Sequence, residues 1–503
     1  MGDENTVLDE SATRHLVRRT GFGATTNEVL ALAGSTRGAA ADALLGFTPK
    51  GFKPAGPDIE RARSKWIKYM VKALAPLQEK LVLFWHDHFA TGYSKVQDVR
   101  RMALQNKTIR LNCKGDMRVL VKAMNKDAAM IEWLDTVRNH KQVPNENYAR
   151  ELQELFTLGV NDLRGNPNYV QADVAQIARA FTGWVYDGDT SVAAFDPNDH
   201  DTNAQYFGSR GAKVLYGRPA AYTPNGKLGG FAAPQAFDAP EGETEIDQVT
   251  EIIFRHTDTN GASTVARRTT KRLLEFFASG SWATPSNAQI QIIDDLIGTA
   301  NFDVDWNIQT LLRAIFTHDV FYETAPAPFA LPTPPKSVKW PIDFVVGTLR
   351  MTGIKGKGSD LVIEGGDYVP LRDHLEGMGQ VLLDPPSVFG WDWEKAWISS
   401  ATLLARYRFA RDAMMARKRF KPEKFMDVTL TQAPDIVDAV LEVLGLGDYG
   451  SGSQVTTAER NVLINYLGGP SATLDLLNDY DARNEKLCGL FALVIQSPVF
   501  QTH

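Results

Sequence analysis

The stretch 65–84, KWIKYMVKALAPLQEKLVLF, sets the fold class. Trp66, Tyr69, Met70, Ala73, Leu74, Leu77, Leu81 and Phe84 recur at three- and four-residue spacing, the period of an amphipathic helix, and Pro76 predicts a kink or break within it. The pattern runs straight into Phe84-Trp85-His86-Asp87-His88-Phe89, where metal-type ligands and a carboxylate sit among aromatic rings. Ionisable groups are costly to bury unless they pair, bind a metal or do chemistry, so this junction marks a polar site.

The same helical period recurs in 119–134, in 148–158 closed by Gly159, in 171–181 closed by Gly183, and in 262–277, 342–351 and 401–419. The expected fold is mainly α, a large multi-helical domain with a long irregular insert and aromatic-rich loops. An N-terminal helical part, 1–186, carries the His-Asp-His segment. Residues 187–245, rich in Gly, Ala, Pro and Asn without sustained period, read as an irregular insert or lid. Helices resume over 246–324, the Pro-rich run APAPFALPTPP at 325–335 reads as a connector, and 336–503 reads as a C-terminal helical subdomain.

Composition bounds the function. A chain of 503 residues that is 44% hydrophobic can bury a large core, and a formal net charge of −6 offers no broad basic face for a polyanion. Nucleic-acid binding is therefore not expected, and the basic run Arg406, Arg408, Arg411, Arg417, Lys418 and Arg419 reads as a solvated helix face. Two cysteines, Cys113 and Cys488, are too few for a disulfide framework or a Cys₄ zinc site. No apolar run is long enough to span a membrane. Met1-Gly2-Asp3-Glu4 lacks the basic and apolar parts of a signal peptide, so the expected compartment is cytoplasmic unless a signal was removed.

The chemistry rests on three groups of residues. On an extended backbone His86 and His88 point to one side and can clasp a metal; on a continuous helix they lie about 200° apart and cannot. In PNENYARELQE (144–154), a helix starting near Asn145 puts Asn147, Glu151 and Glu154 within about 60° of one another, beside the apolar Tyr148, Leu152, Leu155 and Phe156. Carboxylates that close raise each other's pKa unless a metal, an arginine or a proton intervenes. Arg150 and Glu146 are i,i+4 partners, and Arg18, Arg19, Arg138 and Arg179 are candidate structural partners for the two glutamates. In the insert, His200 and Asp201 supply a third pair, next to Asp196 and Asp199, whose plainer reading is Asx turns. The Trp391, Trp393 and Trp397 loop reads as a cleft lining or as packing.

These blocks carry a resemblance. The set HLVRRTGFG (15–23), 84–89, 144–159, FTGW (181–184), 195–201, and MGQ (378–380) with 385–397 is similar to the bacterial "domain of unknown function 1800" family over nearly the whole chain. The resemblance implies a large, mainly helical protein often made with an export signal, hence a periplasmic or extracellular location, and it brings no known reaction. A His-Pro-Ala-Thr-type turn associated with the family is altered here to 256–264, HTDTNGAST, which puts any carried-over role of His256 in doubt.

Walker-type loops, serine-hydrolase elbows, His-Glu-x-x-His and Glu-x-x-His are absent from the sequence. Three expectations remain. The leading one is a metalloenzyme, hydrolase or oxidoreductase, with a divalent transition metal (Zn, Fe, Mn or Cu) on His86, His88, Glu151, Glu154, His200 and Asp201. Its catalytic set is Glu151, Glu154, Asn147 and Arg150, and its substrate is a small molecule or polysaccharide. The second is a metal-independent polysaccharide-cleaving, lyase-like enzyme in which Asn147, His140, Tyr148 and Arg150 neutralise and deprotonate a uronic acid. The third is a non-catalytic surface or assembly protein with a protein partner.

Overall fold

A computed structural model describes residues 4–53, 56–202, 213–216, 235–236, 242–322, 337–354, 360–362, 368–415, 420–447 and 455–502. The fold is mainly α: twenty-three α-helices run through these residues, and the strands pair only as three two-stranded ribbons. No helix is long and apolar enough to cross a membrane among the described residues.

The helices that position the site are α1 (Glu10–Thr20), α2 (Ile59–Val71), α3 (Pro76–His88), α4 (Val99–Asn112), α5 (Asn147–Glu151), α6 (Gln171–Ala180), α7 (Glu245–Phe254), α8 (Thr264–Phe277), α9 (Pro341–Met351) and α10 (Ser400–Met415). The periodic stretch 65–84 is two helices, broken at 72–75, and Pro76 opens the second, where its missing N–H costs nothing. Helix α3 continues through His88 and is capped by Phe89, whose N–H bonds Trp85 O. Every residue from Leu77 to His88 is buried, so α3 is a central rod of the molecule. The 119–134 pattern also splits, into Met117–Asn125 and Ala128–Trp133, because Asp127 accepts a hydrogen bond from Met130 N and starts a new helix. Directly after α5 the backbone widens into a π-helix, Leu152–Thr157, in which Leu158 N reaches Gln153 O at 2.9 Å; Gly159, at φ +84°, ends it.

Buried side chains from Leu8 to Phe500 form one contiguous apolar core. Helix α9 packs on α2, and Arg14 of α1 pairs with Glu442, so residues on either side of 325–335 share that core; the connector itself lies outside the described residues. In the insert, β1 (Trp184–Tyr186) and β2 (Ala193–Phe195) form an antiparallel hairpin with Trp184 opposite Phe195, and β3 (Val214–Leu215) pairs with β4 (Gln235–Ala236).

Charges tie this core together. Arg110 makes a two-pronged pair with Glu79, Lys80 pairs with Asp343, and Arg19 donates to Phe277 O at 2.6 Å and Phe276 O at 2.8 Å, closing the C-terminal end of α8. Arg406 belongs to this group rather than to a solvated face: it is fully buried and donates to Gln501 Oε1 at 3.0 Å and Lys339 O at 2.8 Å. Arg408 and Arg411 are exposed, and 417–419 lie outside the described residues. Both cysteines are buried free thiols, and burial pushes Cys113 up to about 12.

Candidate functional site

Four sequence blocks meet where the C-terminal end of α3 touches α8, the π turn after α5, and the aromatic loop 385–397. Asp87 is the hub. Its Oδ1 accepts from Trp391 N at 2.7 Å, and its Oδ2 accepts from Trp393 Nε1 at 3.1 Å and from Arg272 Nη2 at 3.2 Å. The loop reaches this close because residue 390 is glycine, at φ +85°; a Cβ there would collide with Asp87 Oδ1 and lie 2.7 Å from its carbonyl oxygen. Burial raises the Asp87 carboxyl to about 6, with Arg272 and the two tryptophan donors opposing.

Outward from Asp87, α8 lays a polar stripe over its apolar face. Arg268, Lys271, Arg272 and Glu275, at spacings of three, four and seven, are all half-buried, while Leu273, Leu274, Phe276 and Phe277 enter the core. Arg272 lies over the Trp393 ring with its guanidinium carbon 4.5 Å from the centroid. Lys271 Nζ stands 3.6 Å from Glu275, and burial lowers its pKa, with Glu275 opposing and Arg272 and Arg268 helping. Arg268 is lowered to about 10 by burial first and then by Arg272. It donates to Leu155 O at 3.3 Å and has no carboxylate at ion-pair distance among the described residues. Its guanidinium lies against Gly159, where a Cβ would be 2.8 Å from Nη1.

The π turn supplies the other wall. Glu154 accepts the hydroxyl of Tyr169 and lies 3.9 Å from Arg150, which also pairs with Glu146 at 3.2 Å. Burial and Glu154 raise the Tyr169 pKa, so its hydroxyl is held protonated. Glu151 is raised by burial and then by Glu154, with Arg150 opposing, and its buried Oε2 has no hydrogen-bond partner among the described residues. The wider π turn opens the angle between Glu151 and Glu154 beyond that of an ideal helix. Their cation is Arg150, not Arg18, Arg19, Arg138 or Arg179.

The remaining sequence candidates fall elsewhere. Because α3 is continuous to His88, the two histidines point apart. His86 sits between Trp66 and Trp391, each ring 5.5 Å away, with neither nitrogen hydrogen-bonded among the described residues; burial lowers it to about 4. His88 donates from Nε2 to Phe156 O at 3.0 Å and is lowered by burial to about 3. His200 contacts Glu245 Oε2 at 3.0 Å and Thr182 O at 2.8 Å, and Asp201 takes a two-pronged pair from Arg179 at 3.0 and 3.2 Å. Lys213 donates to Glu245 at 2.8 and 3.0 Å, completing a buried network that fastens the insert. Asn147 donates to Leu134 O at 3.2 Å and Tyr148 to Asn125 Oδ1 at 2.6 Å, both architectural roles. His140 pairs with Asp199 and faces solvent. Asp196 accepts from Asn198 N, an Asx turn. His256 is buried between Thr264 Oγ1 at 3.0 Å and Asn168 O at 2.8 Å.

The six expected metal donors thus fall at four places, His86, His88, the Glu151–Glu154 turn and the His200–Asp201 network, and no group of three His, Cys, Asp or Glu side chains able to hold a metal ion occurs among the described residues. Sequence reading missed Asp87 as hub, Tyr169, and the α8 stripe; the spacing of Arg268, Lys271, Arg272 and Glu275 on one face was the available signal.

Fold and site define a mainly helical, single-core protein whose polar cluster is built from the end of one buried helix and the segments around it. The chain belongs to the family of proteins of unknown function DUF1800, whose model matches residues 15–502. No curated protein and no solved structure matches it.

Proposed function

We propose that the protein is a metal-independent enzyme that cleaves a carboxylate-bearing polysaccharide by acid–base chemistry at the α8 stripe. The observation that carries this reading is Arg268, a half-buried guanidinium with no carboxylate at ion-pair distance among the described residues, beside a lysine of lowered pKa and a tyrosine held protonated. Arg268 pairs with the carboxylate of a uronate residue and so acidifies the adjacent C–H. Lys271, as the neutral amine, takes that proton; a C=C bond forms as the C–O bond to the next sugar breaks, and Tyr169 gives its proton to the departing oxygen. The residues differ from the Asn147, His140 and Tyr148 set expected from sequence, and an exported location goes with the reading.

The test is a panel of uronate polymers monitored for unsaturated, ultraviolet-absorbing products. Wild type forms them, the rate rising with pH as Lys271 loses its proton, and Lys271→Ala lowers it by about 10²–10⁴-fold at unchanged melting temperature. A panel without such products overturns the reading. The orphaned Oε2 of Glu151 beside Glu154 favours a second reading, a divalent transition metal held there. Stoichiometric Zn, Fe, Mn or Cu in protein purified without chelator, lost in Glu151→Ala, supports that alternative instead.

A further inference from the structure

At the other end of α3, about 18 Å along its axis from the Asp87 hub, lies a cavity of about 890 Å³. It is walled by α2, by the 72–75 turn and by the segment around Phe47 and Lys50. Its floor is electrically closed: Arg110 pairs with Glu79, which also accepts from Trp66 Nε1 at 3.2 Å, and Arg110 lies over Tyr69 at 5.4 Å. Its rim is not. Lys50, Lys65, Lys68 and Lys72 line it, and none has a carboxylate at ion-pair distance among the described residues.

Lys65 and Lys68 follow one face of α2 and Lys72 caps its C-terminal end, spacings of three and four at which like charges repel and cost stability. The chain as a whole is acidic, with net charge −6, so this concentration of cations stands against the general balance. Between the lysines, Phe47, Tyr69, Ala73 and Leu74 offer apolar surface, and Leu74 is 95% exposed. The volume is in the range of small-ligand sites.

We infer that this cavity binds a sugar-sized ligand carrying two or more anionic groups, the ring packing on Phe47 and Tyr69 and the anions pairing with the lysines. It is a site separate from the α8 stripe and does not rest on the reaction proposed there. A uronate oligomer and a phosphorylated sugar share this chemistry, and a nucleic acid is the competing occupant that the test separates.

The test is titration calorimetry at low ionic strength, in the Arg268→Ala background so that only the cavity is read, with a galacturonate trimer, fructose 1,6-bisphosphate, maltotriose and a single-stranded oligonucleotide. At least one anionic sugar is expected to bind with a Kd below about 1 mM. The double variant Lys68→Glu/Lys72→Glu is expected to weaken that binding at least tenfold, by analogy with about tenfold per 1.4 kcal/mol, while the melting curve stays cooperative. Which anionic sugar binds identifies the source. The inference is overturned if neither binds, if maltotriose or the oligonucleotide binds as tightly, or if the double variant binds as well as its parent. Should that variant unfold, Lys65→Ala/Lys68→Ala, which adds no charge, gives the same two-way reading.

Discussion

His86 is a titratable ring in a place without hydrogen-bonding partners. Both its nitrogens lack one among the described residues, and the ring is held only by Trp66 and Trp391. Its pKa is 6.5 in a model compound and about 4 here, so the unfolded chain takes up the proton first as pH falls. The stability it contributes is complete above pH 6.5 and lost as pH falls toward 4, at most on the order of 3 kcal/mol. His86→Phe keeps the aromatic contact and removes the orphaned nitrogens. The variant is expected to be at least as stable as wild type at pH 7 and to lose less stability between pH 6.5 and 4 in urea titrations. A loss of several kcal/mol at pH 7 would show that the nitrogens have a partner. His15 and His88, both lowered to about 3 by burial, keep part of the acid sensitivity in the variant.

At the scale of elements, α3 and the 385–397 loop work as a latch. Gly390 has a positive φ and stands against Asp87, so Gly390→Ala combines backbone strain with a collision and is expected to cost about 2–4 kcal/mol. Tryptophan fluorescence should report the loosened loop, since Trp391, Trp393 and Trp397 all pack around Trp340. An unchanged melting temperature and emission spectrum would rule the latch out. The helices themselves were legible, because their apolar faces repeat at the helical period. Their ends were less so. Nothing between Pro76 and Gly92 punctuates the chain, so the sequence could not tell whether the backbone turned before or after His86 and His88, and that choice decides whether they share a ligand. The π turn after Glu151 was illegible for a related reason: one extra residue in a turn leaves no change in composition, yet it moves Glu154 relative to Glu151.

Over the whole molecule, buried charge pairs fasten the described part of the insert. Lys213 and Glu245 are fully buried, and with His200, Asp201 and Arg179 they hold residues 200–201 and 213 to α6 and α7. Lys213→Met strands a buried carboxylate and is expected to cost about 3–5 kcal/mol, whereas Lys213→Met/Glu245→Gln recovers most of it. Thermal melts of the two variants check this, and equal losses in both would contradict it. Net charge and composition carried no hint of such pairing, because they count Lys80, Lys213, Lys339 and Arg406 like surface residues although all four are buried. Helix α3 has the opposite character. From Leu77 to His88 every residue is buried, while its two ends reach the lysine cavity and the Asp87 hub. The amide hydrogens in the middle of so buried a helix are expected to exchange with deuterium only when the entire molecule opens.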